Sequence, residues 1–206
     1  ASGKDRKLLR DADALLTAAG WVVKDGRRFN AKGEALDLEF LIIDPSTERI
    51  LGPYVENLKR VGINATLRRI DPAQYERRAK EFDYDVIGTR FVMRLTPGVE
   101  LKGYFGSETA DVSGSLNRSG IKDPVVDAMI VHITQAKTRT QANIAARALD
   151  RVLRANTYWV SNWFKASHNI AYWDKFDRPA VKPRFDRGII DTWWFDPAKA
   201  AKLKSN

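Results

Sequence analysis

Leu36-Asp37-Leu38-Glu39-Phe40-Leu41-Ile42-Ile43-Asp44-Pro45 decides the class of this fold. Apolar and acidic residues alternate as far as Phe40, and an unbroken apolar run follows to Ile43. That is the pattern of a strand passing from a sheet margin into an interior covered on both faces. Asp44 caps a following helix, with Pro45 at its first position. Ile50, Leu51, Tyr54, Val55, Leu58 and Val61 then share one helical face, Gly62 ends it, and 65–70 returns to strand-like sequence. Strand, helix and strand in about 35 residues make a βαβ unit, whose strands are expected to be parallel and whose crossover right-handed. The class is α/β.

Upstream, Leu8, Leu9, Ala12, Leu15, Leu16 and Ala19 recur at helical spacing between Asp5 and Gly20, which predicts a capped amphipathic helix. Trp21-Val22-Val23 and the turns at 24–28 and 32–34 suggest a short hairpin of little functional content. Downstream, Asp71-Pro72 and Asp123-Pro124 repeat the helix-opening step; these Asp residues read as caps, not catalytic acids. A third strand is expected over 84–92, and a long Gly-rich, polar loop over 94–122, of a length that usually signals function. Thr138-x-x-Gln141 resembles a capping box ahead of an amphipathic helix carrying Ile144, Ala145, Ala148, Leu149, Val152 and Leu153. Aromatic residues crowd the last quarter, among short extended pieces such as 169–172.

With 206 residues, 44% hydrophobic and 30% charged, the chain is globular in character, and nothing approaches the roughly 18 consecutive apolar residues of a membrane span. The start, 1–7, lacks the apolar region of a signal peptide, so the chain as written is expected to be soluble and to carry no address. The absence of Cys excludes disulfides, thiolate nucleophiles and Cys-rich zinc sites. His132 and Ser167-His168 invite a catalytic triad, but no nucleophile elbow, paired-His motif or phosphate-cradling loop accompanies them, and no enzyme and no cofactor is expected. The net charge of +9 raises a polyanion partner. Its clusters, Arg27-Arg28, Arg68-Arg69 and 77–80, are short and scattered, so no nucleic acid is expected; a basic α/β domain binding nucleic acid or another polyanion is the alternative reading.

Several ordered segments together resemble the carboxy-terminal lobe of family 5 extracellular solute-binding proteins, in the YejA-like branch. They are Ala19-Gly20-Trp21, the run 54–65, Ile70-Asp71-Pro72-Ala73-Gln74-Tyr75, Phe82-Asp83-Tyr84-Asp85, Thr96-Pro97-Gly98-Val99-Glu100, Asn117-Arg118-Ser119-Gly120-Ile121, Ala148-Leu149-Asp150-Arg151, Ile170-Ala171-Tyr172-Trp173-Asp174 and Thr192-Trp193-Trp194. The resemblance implies a lobe like those of type II periplasmic binding proteins, a mixed sheet flanked by helices, over 1–185. It also implies a segment, 186–206, that returns toward an amino-terminal lobe absent from this chain.

It further implies a non-enzymatic component of an ABC importer, located in the periplasm. Such a protein captures a peptide or other small solute between two lobes and delivers it to a permease in the inner membrane. The resemblance places ligand contacts on Arg90, Phe91, Met93, Arg94, Tyr104, Asn117 and Trp163. The two arginines suit a carboxylate or other anion, Phe91, Met93 and Tyr104 suit apolar groups, and Asn117 suits ligand amides. In some oligopeptide binders an Asp after the hinge-side strand pairs with the ligand's amino terminus, whereas 90–94 holds no carboxylate. An isolated fragment is expected to bind peptides weakly or not at all, with an exposed cleft face open to self-association.

Overall fold

A computed structural model describes residues 5–93, 95–167, 169–184, 188–189 and 191–203. Two compact units are formed, one from 1–90 with 111–118, the other from 91–110 with 119–206.

In the first unit, α1 (Arg6–Ala18) is capped by the Asp5 carboxylate, which accepts from the Lys7 and Leu8 amides. The hairpin is a two-stranded antiparallel ribbon, β1 (Val22–Lys24) with β2 (Arg27–Phe29). Next come β3 (Asp37–Ile42), α2 (Pro45–Arg60), β4 (Asn64–Arg69) and α3 (Pro72–Lys80). Both helices start as the sequence predicts: Asp44 and Asp71 accept from the Thr47 and Gln74 amides, each at 2.9 Å. β3 and β4 are parallel, with Asp37 opposite Asn64 and Ile42 opposite Arg69.

Side chains alternate across β3. Phe40 is packed with Val55, Val61, Ile63 and Ala65, and with Leu9, Ala12 and Leu16 of α1. Each fully buried large apolar side chain of this kind stabilises by about 1.5–3 kcal/mol. Glu39, its neighbour in β3, instead meets two guanidinium groups, Arg78 of α3 at 2.9 Å and Arg68 of β4 at 3.3 Å.

The expected third strand is shorter than its sequence suggests. Only β5 (Val86–Ile87) pairs, in parallel, with Phe40 and Leu41, giving the order β4-β3-β5. At its start the Asp85 carboxylate accepts from the Glu39 amide at 2.8 Å, so a side chain takes a ladder position. After Gly88 the chain leaves the sheet and passes to the second unit at 90–91. Among the described residues parallel pairing is confined to this sheet, and the antiparallel strand pairs form separate ribbons.

Arg28 corrects the view of 27–28 as a scattered basic pair, because its side chain has no exposed surface. Its guanidinium donates to the carbonyls of Val61 at 2.5 Å and Trp21 at 2.7 Å, to Thr17 Oγ1 at 3.3 Å, and to the Asp13 carboxylate. One residue thus ties α1, the ribbon and the end of α2. Gly62, with φ +84°, makes room: a Cβ there would lie 3.0 Å from Arg28 Cγ.

The second unit is mainly helical. The loop expected over 94–122 contains α4 (Glu100–Phe105) and a 3-10 turn (Ser107–Thr109), and Leu101, Phe105 and Ile121 in it are buried. Gly103 within α4 and Gly98 and Gly106 beside it hide its short helical pattern. α5 (Pro124–Thr134) and α6 (Arg139–Ala155) close the core with Val126, Ile130, Ile133, Ala145, Leu149 and Leu153. Thr138 caps α6 through the Gln141 amide at 3.2 Å, and Gln141 reaches back to the Lys137 amide at 3.1 Å. Residues 169–172 form no strand; pairing occurs instead between β6 (Phe176–Asp177) and β7 (Trp194–Phe195), ahead of α7 (Pro197–Leu203). No helix is long and apolar enough to cross a membrane among the described residues.

Candidate functional site

The candidate contact residues divide between the two units. Arg90 ends the first unit and is exposed. Phe91 and Met93 open the second and are packed against its core. Arg94 lies outside the described residues. Phe91 is held by three rings, its centroid 5.6 Å from Tyr104, 5.5 Å from Phe105 and 5.1 Å from Trp159. Phe105 and Trp159 stack at 5.6 Å with planes 20° apart. The Tyr104 hydroxyl sits 3.5 Å from the Val92 carbonyl, to which it donates. α4 positions Tyr104 and Phe105 on one side of this cluster, while the chain following α6 brings Tyr158 and Trp159 to it.

Asn117 belongs to the segment 111–118, which packs on α3. There the Gly114 amide donates to the Lys80 carbonyl at 3.0 Å, Arg118 donates to the Ala79 carbonyl, and the Tyr84 hydroxyl donates to the Arg118 carbonyl at 2.9 Å. Burial raises the Tyr84 hydroxyl above its usual pKa, keeping it a donor. Asn117 has no exposed surface, and its backbone N–H donates to Ser115 Oγ at 3.2 Å.

Trp163 is the opposite case, 71% exposed. It lies in a stretch, 160–173, in which every described residue is exposed and Phe164 and Trp173 stand out at 86% and 73%.

Two features escape a reading of the sequence. Trp159 completes the cage around Phe91. Glu100 keeps one carboxylate oxygen enclosed with no hydrogen-bond donor, a state that costs about 1–3 kcal/mol. Gly98 allows the close approach, since a Cβ there would lie 3.2 Å from the other Glu100 oxygen. Spacing alone gives no sign of either. Elsewhere, an open depression of about 420 Å³ in the first unit is lined by Glu39, Arg68, Gln74, Arg77, Arg78, Glu81 and Asp83. Arg78 is committed within it, donating to Asp83 at 2.8 Å and paired with Glu39. Among the described residues no group of three or more His, Asp or Glu is placed to hold a metal ion. His132 stands exposed on α5, and His168 lies outside the described residues.

No family model matches the chain. A probable peptide-binding protein YejA of Agrobacterium fabrum is 43% identical over 192 residues, 93% of this chain and 31% of that relative. An uncharacterized YejA of Escherichia coli is 38% identical over 205 residues, 98% of this chain and 33% of that one. The oligopeptide-binding protein AppA of Bacillus subtilis, solved with a nonapeptide, superposes with a TM-score of 0.62 at 15% identity, over 90% of this chain and 37% of that one. The chain spans about a third of the length of the curated relatives it matches. It is thus a homologue of part of the YejA-type peptide-binding proteins and has the fold of the family 5 oligopeptide-binding proteins of ABC transporters.

Proposed function

We propose that this chain is the carboxy-terminal lobe of a periplasmic substrate-binding component of an ABC importer, which captures peptides in a cleft and delivers them to a membrane permease. The observation that carries this reading is the 43% identity to a probable peptide-binding protein over 93% of the chain. Its role is binding, with no covalent chemistry. Selectivity rests on shape and hydrogen bonding in a cleft completed by a second lobe.

Within this chain the contacts divide by physical role. Arg90 and Arg94 supply anion-binding forks for a peptide carboxylate, and exposed Trp163 supplies apolar area. Phe91, Met93 and Tyr104 form the wall behind, fixed by the ring cluster, and Asn117 holds the neighbouring loop. Residues 160–173 give the aromatic surface that the rest of the protein and the ligand cover. The segment 186–206 returns to the other lobe.

Mass spectrometry under native conditions of the complete gene product, purified without added ligand, tests the reading. Retained peptides are expected. A preparation that retains none and shows no heat with a mixed peptide library in calorimetry would overturn it.

A further inference from the structure

The +9 net charge is unevenly placed. The first unit holds 18 Lys and Arg against 16 Asp and Glu, and the second holds 17 against 10. In the second unit α6 carries four Arg against one Asp, three of the excess of seven charges. Its inner face carries Ala145, Leu149 and Leu153, all buried in the core. At about 100° per residue, Arg147, Arg151 and Arg154 fall on the opposite side, and all three are exposed. One acid offsets them, Asp150, which is 3.5 Å from Arg154, with both side chains well exposed. A pair of that kind holds little energy and leaves both charges available. Arg147 and Arg151 have no hydrogen-bond or ion-pair partner among the described residues.

We propose that this outward face of α6 is an electrostatic docking surface for an anionic lipid bilayer. The helix is anchored by its apolar side, so the guanidinium groups are carried on a rigid support over roughly 10 Å of axis. Guanidinium forks match phosphate oxygens, two bonds at a time. A bilayer surface offers many such groups without requiring a shaped partner, and the face has the matching simplicity. It lacks the buried aromatic centre on which protein interfaces depend; Ile144, 65% exposed beside Arg147, is its one large apolar side chain. That a membrane lies within reach rests on the transport reading, whereas the charged face itself does not. Docking of this kind would concentrate the protein near its permease and orient it, without contributing to ligand affinity.

The test uses the complete gene product and sedimentation with phosphatidylcholine vesicles, either pure or enriched in phosphatidylglycerol. At low salt the enriched vesicles are expected to bind at least tenfold more tightly, and high salt to abolish the difference. Arg147→Glu with Arg151→Glu should erase that preference. Arg10→Glu with Lys24→Glu, the same charge change in the first unit, should leave most of it. Peptide calorimetry on the α6 variant should match the parent, which separates this inference from the transport reading. Equal binding to both vesicle types, a preference that survives in the α6 variant, or binding to duplex DNA or an acidic protein without binding to vesicles would overturn it.

Discussion

Replacing Arg28 by Met tests the main structural tie of the first unit. The guanidinium makes its two best bonds to the carbonyls of Val61 and Trp21, at 2.5 and 2.7 Å, inside a region from which its own side chain is wholly excluded from water. Buried hydrogen bonds to a charged group are each worth about 1.5–3 kcal/mol, and they are not additive. Asp13 adds little because its carboxylate is 59% exposed and returns to water when the partner goes. Met restores part of the methylene packing. The net loss should be about 2–4 kcal/mol, a large share of the 5–15 kcal/mol typical of a whole domain. With a urea slope of about 1–3 kcal/mol per molar, the midpoint followed by circular dichroism should fall by about 1–2 M. Asp13→Asn should cost less than about 1 kcal/mol. An Arg28→Met midpoint equal to that of the parent would refute the reasoning, because it would mean that the bonds only repay the cost of burying the charge.

Gly62→Ala should destabilise by about 1–3 kcal/mol in the same assay, since φ is +84° and the new Cβ would meet Arg28 Cγ at 3.0 Å; an unchanged midpoint would show that both strains are relieved locally. Glu100→Met should raise stability by about 1 kcal/mol by removing the enclosed oxygen that has no donor, and a loss of stability would reveal a partner for it. Acid should weaken the fold in a definite window. Hydrogen bonds from Asn64 and then Arg27 hold the Asp37 carboxyl below the ordinary 3.8, and bonds from the Thr47 side chain and amide do the same for Asp44. A depressed folded pKa gives stability that is present above the unfolded value and lost as pH falls through the folded one. The melting temperature should therefore hold its value down to about pH 4 and fall below it, and a rise on acidification would contradict the assignment.

Much of the first unit is legible in the sequence because its signals are local. Asp44-Pro45 and Asp71-Pro72 cap the helices they precede, as Asp123-Pro124 does in the second unit, and the period change within 36–43 marks a strand covered on both faces. What the sequence hides depends on distant partners. The charge pattern does not distinguish Arg28 from Arg27, yet the first is enclosed and the second is exposed in a pair with Asp37 at 2.9 Å. The strand expected over 84–92 pairs only at Val86–Ile87, because the Asp85 carboxylate takes a ladder position at its start and the chain passes to the second unit at 90–91. α4 is too short to impose its period on a stretch rich in glycine. Of the candidate contacts, Phe91 and Tyr104 pack in the ring cluster, a role that only the contacts with Phe105 and Trp159 make visible. Asn117 falls in the loop expected over 94–122, but its complete burial comes from a fold-level environment.

The central claim is that this chain is part of a protein that captures peptides. Calorimetry of the complete gene product with a mixed library of short peptides, paired with mass spectrometry of what the protein retains through purification, tests it most directly. Saturable binding of peptides, and peptides among the retained molecules, are the results predicted. Retention of a sugar, a metal complex or nothing, together with no binding heat from any peptide, would contradict the account.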